Sequence, residues 1–218
     1  MCRFLLVKSK KEISPKTLLE EFADMCRDSQ TEEGDWQGDG WGVAWYGKNG
    51  WEDRKSLLPI WEERKKFGKV PRTRALVAHA RSATFAKDKG NIDYNQPFLS
   101  GDYCYVFNGM VQGVSLAAEG QIGAQKIWSL LQKELKTSKP LQALKNLNEL
   151  LRKNSREIKG LNIGLATKDN FFALCGKQSN GDYFTLRKLL NGDLEIVCSE
   201  EIGNFKFEKI KEGEIVAF

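Results

Sequence analysis

The sequence predicts an α+β protein in which stacked, mainly antiparallel sheets are covered by helices. Two observations carry this reading. Short apolar runs of strand length occur towards both ends of the chain, at CRFLLV (2–7), GWGVAWYG (40–47) and ALVAHAR (75–81), and again after Gly160. Between them lie two longer segments with apolar residues three and four apart, as amphipathic helices require. Strands supplied from both ends with helices in the middle fit stacked sheets better than a doubly wound parallel sheet.

CRFLLV reads as a buried strand because a short apolar run is bounded by the basic SKK. The first helix follows in SPKTLLEEFADMCRDS, with Ser14 as cap, Pro15 at the first helical position, and Leu18, Leu19, Phe22 and Met25 on one face. GWGVAWYG is the next strand, and Asn49-Gly50 signals a hairpin turn into WEDRKSLL. ALVAHAR is a further strand that ends in a polar loop running to Pro97, and YCYVFNG is a strand closed by a corner at Asn108-Gly109. IGAQKIWSLLQKELK and PLQALKNLNELLRKN, broken at Ser138 to Pro140, form two antiparallel helices. LNIGLATK, NFFALCGK, DYFTLRKLL, LEIVCSE and EIVAF then return to strands, separated by the turns KDN, SNG and NGD.

With 218 residues, 41% of them apolar, the chain is long enough for one sizeable core, and one domain is expected. The net charge is +5, from 34 basic and 29 acidic residues, a mild and well-mixed excess. The densest basic stretch, ERKKFGKVPRTR from Glu63 to Arg74, reads as a solvated face, so no nucleic-acid partner is expected. There is no apolar run of about 18 residues for a membrane span and no secretory signal, which leads to the expectation of a soluble, cytoplasmic protein with no membrane partner. Five widely spaced cysteines without a CxxC pair, and a single histidine, support neither a zinc site nor a disulfide framework. No metal and no cofactor are expected. Only His79 is available as base for a Cys-His or Ser-His pair, so other hydrolytic chemistry must draw its base from elsewhere.

Cys2 offers such a source. Left in place behind Met1 it is an ordinary buried strand residue. Exposed by removal of Met1 it carries an amine titrating at about 7.7–8.0 beside a thiol at about 8.5, so that the residue supplies its own base. Three further stretches hold polar groups that folding does not obviously need. In GDGWGVAW, Gly38, Gly40 and Gly42 permit close backbone approach and suit a pocket wall. In HARSAT, Arg81 is a forked cation suited to a carboxylate, with Thr84 beside it; a surface ion pair is the alternative. In FNGMV, Asn108 and Gly109 either make a tight turn or aim two donors at one oxyanion.

In chain order, MCRFLL, GDGWGVAWY, AHARSAT, NQPF and FNGMV together resemble the class II glutamine amidotransferase domain, an N-terminal nucleophile hydrolase, and within it the stand-alone type that begins MCR and carries DGWG. VCSEEIGNFKFEKIKEGEIVAF is similar to the family's ending, so the resemblance covers residues 1–218 as a single domain. It implies a four-layer αββα sandwich. It also implies that Cys2 attacks the side-chain amide of glutamine or a γ-glutamyl compound to form a thioester, that Asn108 and Gly109 hold the oxyanion, and that Arg81 with Thr84 clamps the substrate α-carboxylate. No synthase domain is expected within the chain, so released ammonia passes to water or to a separate synthase, for which Trp36, Trp51 and Trp61 are candidate docking residues.

One part of the family pattern is missing. Where relatives carry an Asp that holds the substrate α-amino group, this chain reads QIGAQKIW and places Gly123, with Gln125 where a Glu is expected and Glu119 as the nearest acid. Loss of that charge favours a γ-glutamyl compound over free glutamine. It also keeps open the alternative of a non-catalytic or regulatory descendant of the fold.

Overall fold

Alternation along the strands decides where this chain buries its apolar side chains. A computed structural model describes residues 1–29, 35–178 and 182–218. In chain order the strands are β1 (Arg3–Ile13), β2 (Trp41–Gly47), β3 (Gly50–Ser56), β4 (Thr73–Ala80), β5 (Phe98–Ser100), β6 (Tyr103–Gln112), β7 (Glu157–Ala166), β8 (Phe171–Gln178), β9 (Arg187–Leu190), β10 (Leu194–Cys198), β11 (Glu208–Lys209) and β12 (Ile215–Ala217). The helices are α1 (Lys16–Arg27), α2 (Gly123–Leu135) and α3 (Pro140–Asn154).

The strands form a seven-stranded sheet in the order β11-β9-β10-β1-β4-β2-β3 and a five-stranded sheet in the order β12-β8-β7-β6-β5. Their pairings are antiparallel. β1 lies inside its sheet, with α1 on one face and the second sheet on the other, and after Arg3 the residues FLLV (4–7) are apolar without a break. Leu5 and Val7 pack with Leu18, Leu19 and Phe22 of α1. Phe4 and Leu6 turn the other way and meet Cys104, Val106 and Ala173 of the second sheet. On that sheet's far side Tyr105, Phe107, Leu161 and Ile163 pack against Ile127, Leu131, Leu144 and Leu147 of α2 and α3. The layers are therefore helix, sheet, sheet, helix, and the expected αββα sandwich is what the chain forms.

The local expectations that failed did so for tertiary reasons. Asn108-Gly109 is not a corner. β6 runs straight through it, with Asn108 opposite Asn162 and Gly109 opposite Leu161, because β7 supplies ladder partners beyond the point where a turn would have formed. The strand expected over DYFTLRKLL begins only at Arg187; Asp182 to Leu186 form a turn that buries Tyr183, Phe184 and Leu186. α1 opens on Pro15, which itself holds the cap position with helical dihedrals, so Ser14 does not cap it. The SNG turn lies outside the described residues. Among the described residues no helix is long and apolar enough to cross a membrane.

Candidate active site

Cys2 stands immediately before β1, at the rim of the seam between the two sheets. Its Sγ accepts from the Ser82 backbone N–H at 3.5 Å and lies 3.6 Å from the Ser82 carbonyl. Burial pushes the thiol up from its ordinary value, opposed by the Ser82 hydrogen bond and by the positive charges of the N-terminus, Arg81 and Arg3. Burial therefore favours the neutral thiol. His79 is not placed to act as its base. Burial, reinforced by the charge of Arg81, lowers its pKa to about 3, and it lies outside the cleft that Cys2 faces.

That cleft has a volume of about 580 Å³ and is lined by Cys2, Arg81, Ser82, Thr84, Asp88, Tyr94, Gln96, Phe107, Gly109 and Gly123, with Phe85, Met110, Val111, Ile122 and Ile127 as its apolar surfaces. Arg81 leaves the end of β4 almost wholly buried. Its Nη2 donates to the Asp88 carbonyl at 2.6 Å and its guanidinium lies over the Tyr94 ring, while Nη1 has no partner among the described residues. One arm of the fork is thus held by the loop, and the other is enclosed without a partner among the described residues. Thr84 lines the same cleft from the exposed side of that loop.

Asn108 points into the seam, on the same face of β6 as Cys104 and Val106. It is fully buried, with neither amide atom partnered among the described residues. Leaving a buried amide unpaired costs about 1–3 kcal/mol, and Asn108 is not among the residues that line the cleft. Gly109 faces the cleft. A Cβ there would meet the Gly160 carbonyl oxygen at 2.1 Å, so the site admits glycine alone without movement of β7. Gln96 holds this part of β6 in line: its Oε1 accepts the Phe107 N–H at 2.6 Å and its Nε2 donates to the Phe107 carbonyl at 3.2 Å, standing in for a neighbouring strand.

The glycines of GDGWG are not a wall of the cleft. Gly40, at φ 110°, and Gly42 lie beneath the loop after β4, where added Cβ atoms would meet Ser56 and Gln96 backbone oxygens at 2.7 and 2.3 Å. From that stretch Asp39 reaches the loop: its carboxylate accepts from the Ala83 N–H at 2.8 Å and pairs with Lys89 at 2.8 Å. Its backbone N–H also bonds the Arg81 carbonyl at 2.9 Å. Asp39 therefore pins the loop that carries Arg81, Ser82 and Thr84. Gly123, the first residue of α2, lines the cleft with nothing within 4 Å of where its Cβ would be. Gln125 turns back to accept the N–H groups of Gln121 and Ile122, and Glu119 is exposed, outside the cleft. Neither replaces the missing acid.

Sequence reasoning missed the surroundings of the N-terminus. The Met1 amine donates to Asp35 at 3.0 Å and to the Tyr183 hydroxyl at 2.8 Å, and Tyr183 donates to Asp35 at 2.7 Å. Fully buried Arg3 reaches Asp35, Glu200 and Ser29 and stacks on the Tyr183 ring. Only the odd position of Arg3 inside an apolar run hinted at such a network. Trp36, Trp51 and Trp61 do not form one patch: Trp36 and Trp61 lie 5.8 Å apart, whereas Trp51 packs on Tyr46 and Phe171. Among the described residues no group of three or more His, Cys, Asp or Glu gathers as metal ligands.

No family model and no curated protein matches this sequence. Among solved structures it is similar to a glutamine aminotransferase class-II domain protein from Silicibacter pomeroyi, at a TM-score of 0.68 and 14% identity, covering 99% of this chain and 94% of that one. It is also similar to glutamine phosphoribosylpyrophosphate amidotransferase from B. subtilis complexed with ADP and GMP, at 0.66 and 13%, covering 99% of this chain but 47% of that one. A third likeness, to the allosteric regulatory enzyme of purine biosynthesis, has a TM-score of 0.67 at 16% identity and covers 46% of that chain. The chain thus spans about half the length of the latter two enzymes. At these identities the likeness concerns the backbone: this chain has the fold of the class II glutamine amidotransferase domains, the two-sheet architecture of the N-terminal nucleophile hydrolases.

Proposed function

We propose that this protein is an amidohydrolase of the glutamine amidotransferase type, acting as a single domain on the side-chain amide of glutamine or a γ-glutamyl compound. The observation that carries the reading is convergence: Cys2, Arg81, Thr84, Gly109 and Gly123, drawn from four separate segments, line one cleft. Removal of Met1 turns Cys2 into an N-terminal nucleophile whose own amine takes the thiol proton, a role that neutral, displaced His79 leaves vacant. The sulfur adds to the amide carbon, and the carbonyl electron pair moves onto oxygen, held by Asn108 Nδ2 and the Gly109 N–H. Collapse expels the nitrogen as ammonia, which takes the proton from the amine. Water then splits the thioester, giving the γ-carboxylate and the free thiol. Arg81 and Thr84 hold the α-carboxylate at the opposite end. Ammonia passes to water or to a separate synthase, in a reducing cytoplasm that suits five free cysteines.

The test is ammonia release from a panel of γ-amides together with the intact mass of protein purified from its own cell. The expected result is a mass lacking Met1 and turnover abolished in Cys2→Ala at unchanged Tm. A second reading, a non-catalytic descendant that binds a partner or metabolite, is favoured by the hydrogen bonds that seat the Met1 amine on Asp35 and Tyr183. A retained Met1 with no turnover of any γ-amide decides for it.

A further inference from the structure

One wall of the cleft is the edge of a sheet. β7 pairs with β6 from Cys104 to Gln112, whereas on its other side β6 meets β5 at Tyr103 to Tyr105 alone. Beyond that point Gln96 takes the place of a strand, its amide bonding both the N–H and the carbonyl of Phe107. Backbone groups of successive residues point to alternate sides of a strand. The N–H and C=O of Gly109 and Val111 therefore point to the Gln96 side, where no further strand lies among the described residues. The Gln112 carbonyl obeys the same alternation, since it accepts from Arg156 at the start of β7. Residues 109–113 all line the cleft. An unpaired edge of this kind takes up an extended peptide as an added strand. Its two ends differ. At the Phe107 end stands Gln96, and Tyr94, two residues before it, lies 5.7 Å beneath the Arg81 guanidinium. Asp88, whose carbonyl holds Arg81, belongs to the same end. In the other direction the edge opens to solvent: Asn108 is buried, Gly109 to Gln112 are half-buried and Gly113 is exposed.

Resting on the reaction proposed above, we infer that the substrate is a γ-glutamyl peptide whose leaving group, two or more residues long, lies along the edge of β6 as a short parallel strand. The glutamyl head, with its α-amine and α-carboxylate, sits at the end that holds Asp88 and Arg81. With the γ-carbonyl oxygen on the Gly109 N–H, the chain beyond it runs towards Val111, because Gln96 occupies the opposite direction. That course is parallel to β6. In parallel pairing the Gly109 carbonyl accepts the N–H of the second leaving residue, and the Val111 N–H donates to the carbonyl of that same residue. Ammonia or a single amino acid reaches neither bond. The sulfur of Cys2 adds to the γ-amide carbon, the C–N bond breaks, and the peptide departs with the thiol proton on its new amine. Water then splits the thioester to give glutamate and the free thiol.

The experiment compares kcat/KM for L-glutamine, γ-Glu-Ala, γ-Glu-Ala-Ala-Ala and two N-methyl forms of the last, one methylated on the nitrogen of its second alanine and one on that of its third. γ-Glu-Ala-Ala-Ala should exceed glutamine and γ-Glu-Ala by about tenfold or more, the gain that two hydrogen bonds supply. Methylation of the second nitrogen, which faces the edge, should remove about fivefold or more of that gain. Methylation of the third, which faces away, should leave the rate within about twofold. Binding of the same peptides to Cys2→Ala, measured calorimetrically, should follow the same order without depending on turnover. If γ-Glu-Ala-Ala-Ala is no better than glutamine and γ-Glu-Ala, or if the two methylated peptides behave alike, the inference is overturned, while ammonia release from glutamine leaves the reaction standing. If neither glutamine nor any γ-glutamyl peptide is cleaved, both fall.

Discussion

The wall of the cleft that follows β4 holds its groups in place with charge, whereas the wall built from β6 and the start of α2 does so with backbone. On the first wall Arg81 is fixed by the Asp88 carbonyl, and the loop that carries it is tied down by Asp39 through the Ala83 N–H and Lys89. On the second, Gly109 and Gly123 bring main chain to the surface among Phe107, Met110, Val111, Ile122 and Ile127. The contrast separates two tasks. A charged wall recognises one end of a substrate strongly and narrowly, because a desolvated charge must be matched. A backbone wall accepts any oxygen of the right geometry and leaves room beside it.

Removing the charge from the first wall should give the largest effect. Arg81→Ala is expected to lower kcat/KM for carboxylate-bearing γ-amides by about 2–5 kcal/mol, roughly 30-fold to several thousand-fold, while glutaramide, which has no α-carboxylate, loses little. Equal losses on both would mean that Arg81 shapes the loop rather than grips the substrate. Asn108→Ala should lower kcat by about 10²–10³ with little change in KM. Because neither amide atom of Asn108 has a partner among the described residues, its Tm should stay level or rise. A large fall in Tm would make this residue structural. On the backbone wall the sharpest test is Gly109→Ala. The added Cβ meets Gly160 O at 2.1 Å, and such overpacking should cost about 1–3 kcal/mol of stability by denaturant titration. A variant as stable as the parent would show that β7 yields and that the wall is softer than drawn.

The smallest expected effect lies behind the charged wall. His79 is neutral in the folded protein down to about pH 3, whereas an unfolded chain protonates it near its ordinary value of about 6.5. Between those values the unfolded state binds the extra proton, so stability falls as pH drops through the window. From pH 7 to pH 5.5 the loss due to His79 should be about 1 kcal/mol, and His79→Gln should flatten the pH dependence of unfolding by that amount. Parallel profiles for parent and variant would show that His79 finds a proton-stabilising partner in the folded state.

How much of this was legible in the sequence differs from element to element. The apolar runs at 2–7, 40–47 and 75–81 became β1, β2 and β4, and the two helical segments became α2 and α3. β5 and β11, of three and two residues, are too short for any periodicity to show. Cys2, Arg81, Thr84, Asn108, Gly109 and Gly123 were singled out from their local patterns and resemblance; the structure brings all but Asn108 to the lining of one cleft. Asp39 was within a quoted stretch, but nothing in its neighbours announces the contact to Ala83, 44 residues away.

By itself the sequence determined the period of each long element and the face that each would bury, because alternation and helical spacing arise from interactions between residues two to four apart. It also determined the scarcity of bases that turns attention to Cys2. Only the tertiary structure decided that Asn108-Gly109 is strand rather than corner, that Gln96 serves as a substitute strand for Phe107, and that Met1 is met by Asp35 and Tyr183, 34 and 182 residues away. These outcomes depend on which strands become neighbours and in what register. That choice is made by the packing of two sheets and three helices together, and a local preference such as the turn tendency of Asn-Gly gives way to it.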